Sequence, residues 1–308
     1  MKSNQFKLYL QEIKEFTQKI LTPYEQKIEE TSKVPDEVIE KIKKIGLFSI
    51  SIPKKYGGRE FSMEEQVLLT FEFTQASAVF RSIFSTTIGL CSQTLLDYGT
   101  EEQKTSYLPG MAKGDIVGAF ALTEPEAGSD AGSLKSTALK KGNGYILNGQ
   151  KRYITNAPFA DVFLVMARTD PKSIGSEGVS AFLVDSKTPG IEVEEPPKML
   201  GQKGSLACEV NFKDVFVSTE GLVGGVEGNG LKAALRGINH ARTHVAATCV
   251  GQAIRLINEM IPFALNRKQF DVALADMPTI QNMIADSYTD MNAAKSMTLE
   301  AARLFDLG

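Results

Sequence analysis

Tyr145-Ile-Leu-Asn-Gly-Gln150 and Val162-Phe-Leu-Val-Met-Ala167 are short runs rich in β-branched and aromatic residues. Val179-Ser-Ala-Phe-Leu-Val184 and Cys208-Glu-Val-Asn-Phe212 share that character. Turn signals separate them: Lys141-Gly-Asn-Gly144, Asp170-Pro-Lys-Ser173 and Pro189-Gly190. Between about 118 and 222 the apolar period is therefore two, and these segments read as strands. No helical pattern intervenes, which indicates an antiparallel barrel or sandwich rather than a doubly wound sheet.

On both sides the period lengthens. Phe6, Leu8, Leu10, Ile13, Phe16 and Ile20 recur at helical spacing. Asp36 stands where a cap would begin a second helix, with Val38, Ile39, Ile42 and Ile45 as its stripe and Gly46 as its stop. Glu64 to Ile88 is a long apolar-rich segment, Leu90 to Tyr98 continues the helical character, and Pro109, Gly110 and Gly114 break it. After residue 228, Leu231 to Leu265 and Pro278 to Leu307 read as helices. In the second, Ile280, Ile284, Met291, Ala294, Met297, Ala301 and Phe305 form one stripe. The expected fold is α+β: a helical domain over 1–117, an antiparallel β-barrel or sandwich domain over 118–222, and a helical domain over 223–308. Two long helices rarely make a core alone, so that last bundle reads as incomplete.

Composition narrows the function. The chain has 308 residues, of which 43% are hydrophobic, enough for a packed core. Lys and Arg number 34 against 37 Asp and Glu, a net charge of −3, which argues against nucleic acid or an anionic membrane surface as partner. No apolar run reaches the roughly 18–20 residues of a membrane span. Cys91, Cys208 and Cys249 form no close pair, excluding a disulfide scaffold and a CxxC site. His240 and His244 are four apart, but Ala-Arg-Thr lies between them, so HExxH is absent and no metal site is expected. The charged N-terminus lacks a secretory pattern, and a reducing cytoplasm is the expected setting.

Phe120-Ala-Leu-Thr-Glu-Pro-Glu-Ala-Gly-Ser-Asp130 is the most specific segment. On composition alone it reads as a turn. In order along the chain follow Leu147-Asn-Gly-Gln-Lys-Arg-Tyr-Ile-Thr-Asn156, Gly224-Gly-Val-Glu-Gly-Asn-Gly-Leu-Lys232, Arg267-Lys-Gln-Phe270 and Ile280-Gln281. Together these resemble the acyl-CoA dehydrogenase family, over about residues 35–308. Gly224–Gly230 contains EGxG, but no βαβ unit surrounds it, so it reads as a flexible connection rather than a Rossmann site.

The resemblance implies FAD. Phe120, Ala121, Leu122, Thr123 and Ser129 would face the flavin. Tyr153, where many relatives have Trp, would lie against its ring, with Ile154 and Thr155 beside it. Arg267 and Phe270 would reach the FAD of a neighbouring subunit, and Gln281 would add a contact, in a homodimer or homotetramer. Ser129, Asn239 and Arg242 match contacts to the acyl-CoA; Asn239 stands where relatives often carry Asp. The implied reaction is α,β-dehydrogenation of the thioester in fatty acid metabolism, with electrons passed to an electron-transferring flavoprotein.

One element of the family pattern is missing. Most relatives carry the catalytic Glu in a Tyr-Glu-Gly-Thr-like loop after the last helix seen here, and no such loop occurs. A minority place it just before the residue that matches Arg242, where this sequence has Ala241. Glu124 and Glu126 belong to a structural loop by the same resemblance, and Asp271 reads as a helix cap or stop. The expectation is a base beyond Gly308, in a chain shortened at its C-terminus that holds FAD less tightly. The alternative is a truncated, catalytically inactive chain that retains only the fold, with or without flavin or acyl-CoA binding.

Overall fold

The computed structural model describes residues 4–308. The first α-helices are α1 (Asn4–Phe16), α2 (Glu25–Thr31), α3 (Asp36–Ile45), α4 (Met63–Phe73), α5 (Val79–Thr86), α6 (Ser92–Tyr98) and α7 (Glu101–Lys113). In α3, Asp36 and Glu37 occupy the first turn and Lys43 and Lys44 the last, which complements the helix dipole. Gly46, at φ 88°, closes it by donating to Ile42 O and Lys43 O. Asp36 is the first helical residue rather than the cap, a place taken by Pro35.

Two helix readings need correction. Glu64 to Ile88 is broken: Thr74–Ala78 separate α4 from α5. The Thr70 and Thr74 hydroxyls donate back to carbonyls four residues earlier (2.8 and 2.7 Å), a pattern that weakens a helix end. Conversely, α7 runs through Pro109 and Gly110 and stops only at Gly114, φ 80°. A capping box between Thr100 and Gln103 secures its start, so the bond lost at Pro109 does not end it.

The middle of the chain forms one seven-stranded curled sheet: β1 (Gly118–Ala121), β2 (Thr137–Lys141), β3 (Gly144–Thr155), β4 (Val162–Arg168), β5 (Val179–Asp185), β6 (Ile191–Val193) and β7 (Ala207–Ser218). Most pairings are antiparallel, led by the long β3–β7 ladder; β1 and one end of β2 pair with β4 in parallel. Inward residues alternate along β3 and β7 to form a core around Leu147, Phe163, Phe182 and Phe212. β4 is buried along its whole length, as its unbroken apolar run requires.

Two compact units divide the chain. One comprises Ile28–Glu60 and Ser82–Ala241, and holds the sheet. Within it the Gly224–Gly230 segment is pinned rather than flexible. Gly228 N donates to Ser180 Oγ (2.9 Å), and Tyr145 Oη donates to Glu227 (2.6 Å). Gly230 lies so close to Ser180 that a Cβ would come within 2.2 Å of its carbonyl carbon.

The other unit comprises residues up to Lys27, Phe61–Arg81 and Arg242–Gly308. It contains α1, α4, most of α8 (Gly230–Asn266) and α9 (Pro278–Leu307). Its core joins Met63, Val67 and Phe71 to Ala247, Val250 and Ala302. The Asp306 carboxylate accepts from Met63 N (2.7 Å) and Glu64 N (3.0 Å), capping α4 from a distant helix. The packed face of α9 runs through Met291, Lys295, Thr298, Leu299 and Ala302. The expected stripe is thus offset: Ile280, Ile284 and Met291 are half-buried, while Ala294, Met297, Ala301 and Phe305 are exposed.

Between α8 and α9 stands a hairpin, β8 (Lys268–Gln269) and β9 (Val272–Ala273). Its two turn residues, Phe270 and Asp271, have φ of 52° and 63°, the left-handed pair of a type I′ turn. Asp271 is therefore a turn residue, not a helix cap; α8 has already ended at Asn266. Such turns favour Gly in the second place, so Asp271→Gly is expected to raise unfolding free energy by roughly 0.5–1 kcal/mol, read by denaturant titration.

Candidate functional site

The ladder between β3 and β7 is regular up to Lys151–Val210 and resumes at Ile154–Cys208. Arg152 and Tyr153 together oppose the single residue Glu209, which is a β-bulge. Tyr153 takes φ 58°, a region that bulky side chains avoid, and the residue is 61% exposed. Ile154, by contrast, turns into the core. The bulge thus lifts an aromatic ring off the sheet at a cost in backbone strain. The Arg152 guanidinium lies 4.9 Å from the centre of that ring and pairs with Glu209 at 3.0 Å.

Beside the bulge runs the segment that follows β1. Arg152 N donates to Thr123 O (2.8 Å), so Thr123 and Tyr153 are neighbours. Ala121 and Leu122 are buried, Phe120 and Thr123 are half-buried, and Ser129 is exposed. The Thr123 and Ser129 hydroxyls bond to no other described residue. Space is open where a Cβ on Gly128 would stand. A strained, exposed aromatic beside the unspent Thr123 hydroxyl suits a planar, hydrogen-bonding ring system such as a flavin.

A buried ion pair holds this arrangement. Lys151, fully buried, donates to Glu124 Oε1 (2.7 Å) and Leu122 O (3.1 Å). The Glu124 carboxylate also accepts from Lys135 N (2.6 Å) and Ser136 N (3.0 Å). Burial drives the Lys151 ammonium down to about 8, against the upward pull of Glu124. Burial alone would raise Glu124, but the Lys151 charge and the donated hydrogen bonds hold it below its ordinary range. Sequence reading missed this pair. The signal was present: counted by twos from Tyr145 and Leu147, Lys151 falls on an inward position.

The remaining expected residues sit in other places. Asn239 and Arg242 are exposed on α8, on either side of the division between the two units. Arg267, Phe270 and Gln281 gather around the hairpin. Arg267 O accepts from Leu274 N (2.9 Å), and the Gln281 side-chain amide donates to Ala275 O (2.8 Å). Phe270 is 94% exposed at the tip. Thr155 is half-buried and pairs with Ala207.

The N-terminal, middle and C-terminal domain models of acyl-CoA dehydrogenase match residues 3–115, 119–215 and 228–308. The chain belongs to the acyl-CoA dehydrogenase family. It is 37% identical to an acyl-CoA dehydrogenase of Bacillus subtilis over 96% of this chain and 78% of that protein. It is 38% identical to the CarC subunit of the caffeyl-CoA reductase–Etf complex of Acetobacterium woodii, covering 95% of this chain and 76% of that one. Among solved structures, the FAD complex of PigA superposes with a TM-score of 0.94 at 28% identity, covering 100% of this chain and 80% of that one.

As a member of this family of oxidoreductases, the chain raises the question of its base. Position 241 on α8 is Ala and can move no proton. Glu124 is committed to Lys151, and Glu126 is exposed and pairs with Lys135. Neither is poised as a base. His240 and His244 are buried on α8, and among the described residues no group of His, Cys, Asp and Glu could hold a metal ion. Likewise, no described helix is long and apolar enough to cross a membrane.

Lys151→Met is expected to cost about 3–5 kcal/mol, because it strands a buried carboxylate; adding Glu124→Gln should return part of that loss in denaturant titrations. With its pKa lowered in the folded state, Glu124 contributes stability that is fully present above its ordinary 4.5 and lost as pH falls through the lowered value. The stability gap between wild type and Glu124→Gln should therefore narrow in acid. Relief of strain is expected in Tyr153→Asn, which should gain roughly 0.5–1 kcal/mol on the same scale, since Asn accepts left-handed backbone.

Proposed function

We propose that the chain performs α,β-dehydrogenation of an acyl-CoA thioester with FAD and passes electrons to an electron-transferring flavoprotein. The observation that carries this reading is the bulge that holds Tyr153 up beside Thr123. Its setting is cytoplasmic fatty acid metabolism, in a homodimer or homotetramer divided along each chain near residues 117 and 222. Relatives named as dehydrogenase and as part of an Etf complex, and a solved FAD complex, support it.

Bound FAD supplies a two-electron acceptor for the hydride leaving the β-carbon. Tyr153 offers its ring face to the flavin, and the Thr123 and Thr155 hydroxyls offer hydrogen bonds to its edge. The backbone from Phe120 to Leu122, with Ile154, shapes the floor of that site. Ser129, Asn239 and Arg242 hold the thioester and its CoA moiety. Arg267, Phe270 and Gln281 contact the FAD of a neighbouring copy. A strained turn at Phe270 is what such a reach requires, because it projects the ring away from its own chain. Removal of the weakly acidic α-proton needs a carboxylate whose pKa is raised by burial. Glu124 is shifted the wrong way for that task.

The test is an anaerobic visible spectrum of the purified chain with FAD, before and after a mixture of saturated acyl-CoAs. Bleaching of the flavin band is expected. A band that persists would overturn dehydrogenation and leave a chain that binds without chemistry. Absence of FAD uptake would overturn the whole reading. In the same assay, Tyr153→Asn should bind FAD about tenfold more weakly, the loss of one aromatic stacking contact of about 1.4 kcal/mol.

A further inference from the structure

Arg168 is the last residue of β4, and its side chain is almost sealed from solvent. Among the described residues no carboxylate pairs with it. Its guanidinium instead spends its donors on two loops. Nη2 donates to Gly132 O (2.7 Å) and Gly175 O (3.3 Å). Nη1 donates to Ser173 O (3.1 Å) and Ser173 Oγ (3.0 Å). Nε donates to Leu134 O (3.3 Å). A built Cβ on Gly132 would stand 3.5 Å from the Gly175 Cα, so the two loops touch where the fork grips them.

The first of those loops carries Ser129. Its ends are fixed by separate devices. Ahead of Ser129, Glu124 and Ala127 exchange backbone hydrogen bonds (2.9 and 3.3 Å). Beyond it, the Glu124 carboxylate holds Lys135 N and Ser136 N. Between these anchors, Gly128, Ser129 and Asp130 are exposed. The Asp130 carboxylate accepts from the Ser133 hydroxyl, a bond internal to the loop. The Arg168 fork ties this stretch to β4, alongside the buried Leu134 side chain.

A buried cation balanced only by carbonyl and hydroxyl dipoles is costly to keep, and the cost is tolerated only with a close fit. The planar guanidinium reaches several acceptors in fixed directions, which an ammonium on a flexible stem does not. A purely packing role would be served by an apolar side chain at the end of a strand that is otherwise apolar throughout.

We propose that Arg168 is a positioning residue, whose guanidinium clamps the 131–134 and 173–175 loops together and so fixes where Ser129 meets the acyl thioester. This rests on the reading of Ser129 as a substrate contact. The clamp itself rests only on the geometry above.

The test compares wild type with Arg168→Lys and Arg168→Met in the full chain. Hydrogen–deuterium exchange is followed over residues 128–135 and 171–177, and the Kd of a saturated acyl-CoA is measured by calorimetry well below the melting temperature. Both variants are expected to lose protection in both loops together and to weaken acyl-CoA binding about tenfold, or about 1.4 kcal/mol. Added guanidinium ion should restore part of the binding in Arg168→Met. Protection retained in Arg168→Lys would overturn the role of the fork. A lowered melting temperature with unchanged exchange in the loops and unchanged Kd would overturn positioning and leave a structural residue. A wild-type chain without measurable acyl-CoA affinity would overturn the substrate reading of Ser129, while the exchange pattern would still decide the clamp.

Discussion

A lysine can remain in the interior of a sheet only if something there answers its charge. In this protein the answer to Lys151 is Glu124, and much of the site's shape follows from that requirement. Glu124 must leave the surface to meet Lys151, which pulls the chain after β1 inward. The remaining lone pairs of its carboxylate then capture Lys135 N and Ser136 N, which sets the entry to β2. The remaining reach of the lysine goes to Leu122 O. One ion pair therefore ties together the end of β1, the start of β2 and the middle of β3. Buried pairs of this kind add little net stability. Their value is that few alternative arrangements satisfy every partner.

Directly beyond Lys151 the chain departs from local preference. Tyr153 adopts a left-handed backbone, as does Phe270 on the hairpin. Both are aromatic, both are exposed, and neither conformation serves the packing of its own unit. Positions where local rules are broken, and the surroundings compensate, are where function is expected. The compensation differs between them. Tyr153 sits against a rigid sheet beside a buried ion pair, whereas Phe270 relies on the tight turn geometry of a two-residue loop.

Much of the fold was legible in the sequence because period is a strong signal. The strands β3, β4, β5 and β7 were readable from their β-branched and aromatic runs between turn signals, and the bounds of α9 from spacing, whereas the short β1, β2 and β6 were not read. Errors arose where tertiary context outweighed the local signal. Pro109 costs a helix one bond, yet α7 has secured ends and continues past it. The α9 stripe was offset because small and polar residues, Thr298 and Ala302, form the packed face, and an apolar count overlooks them. Asp271 and Phe270 carry no turn signature of the usual Asn-Gly kind, so their left-handed pair was invisible. At the site, motif resemblance supplied Thr123, Ser129 and Tyr153. It said nothing of Arg168, whose acceptors are mostly backbone carbonyls; such groups exist at every position and leave no trace in residue identity.

The unit that contains α9 is assembled from both ends of the sequence. Asp306 caps the helix that begins at Met63, and Ala302 completes the core around Val67 and Phe71. During synthesis, α1 and α4 leave the ribosome long before α8 and α9 exist. The face of α4 that carries Val67 and Phe71 must wait, uncovered, while some 160 intervening residues emerge, among them the whole sheet. The unit that holds the sheet has no such delay, since it is complete once Ala241 is made. Folding is thus ordered by topology: the sheet can form first, and that face of α4 is exposed to non-native contacts until α9 is made.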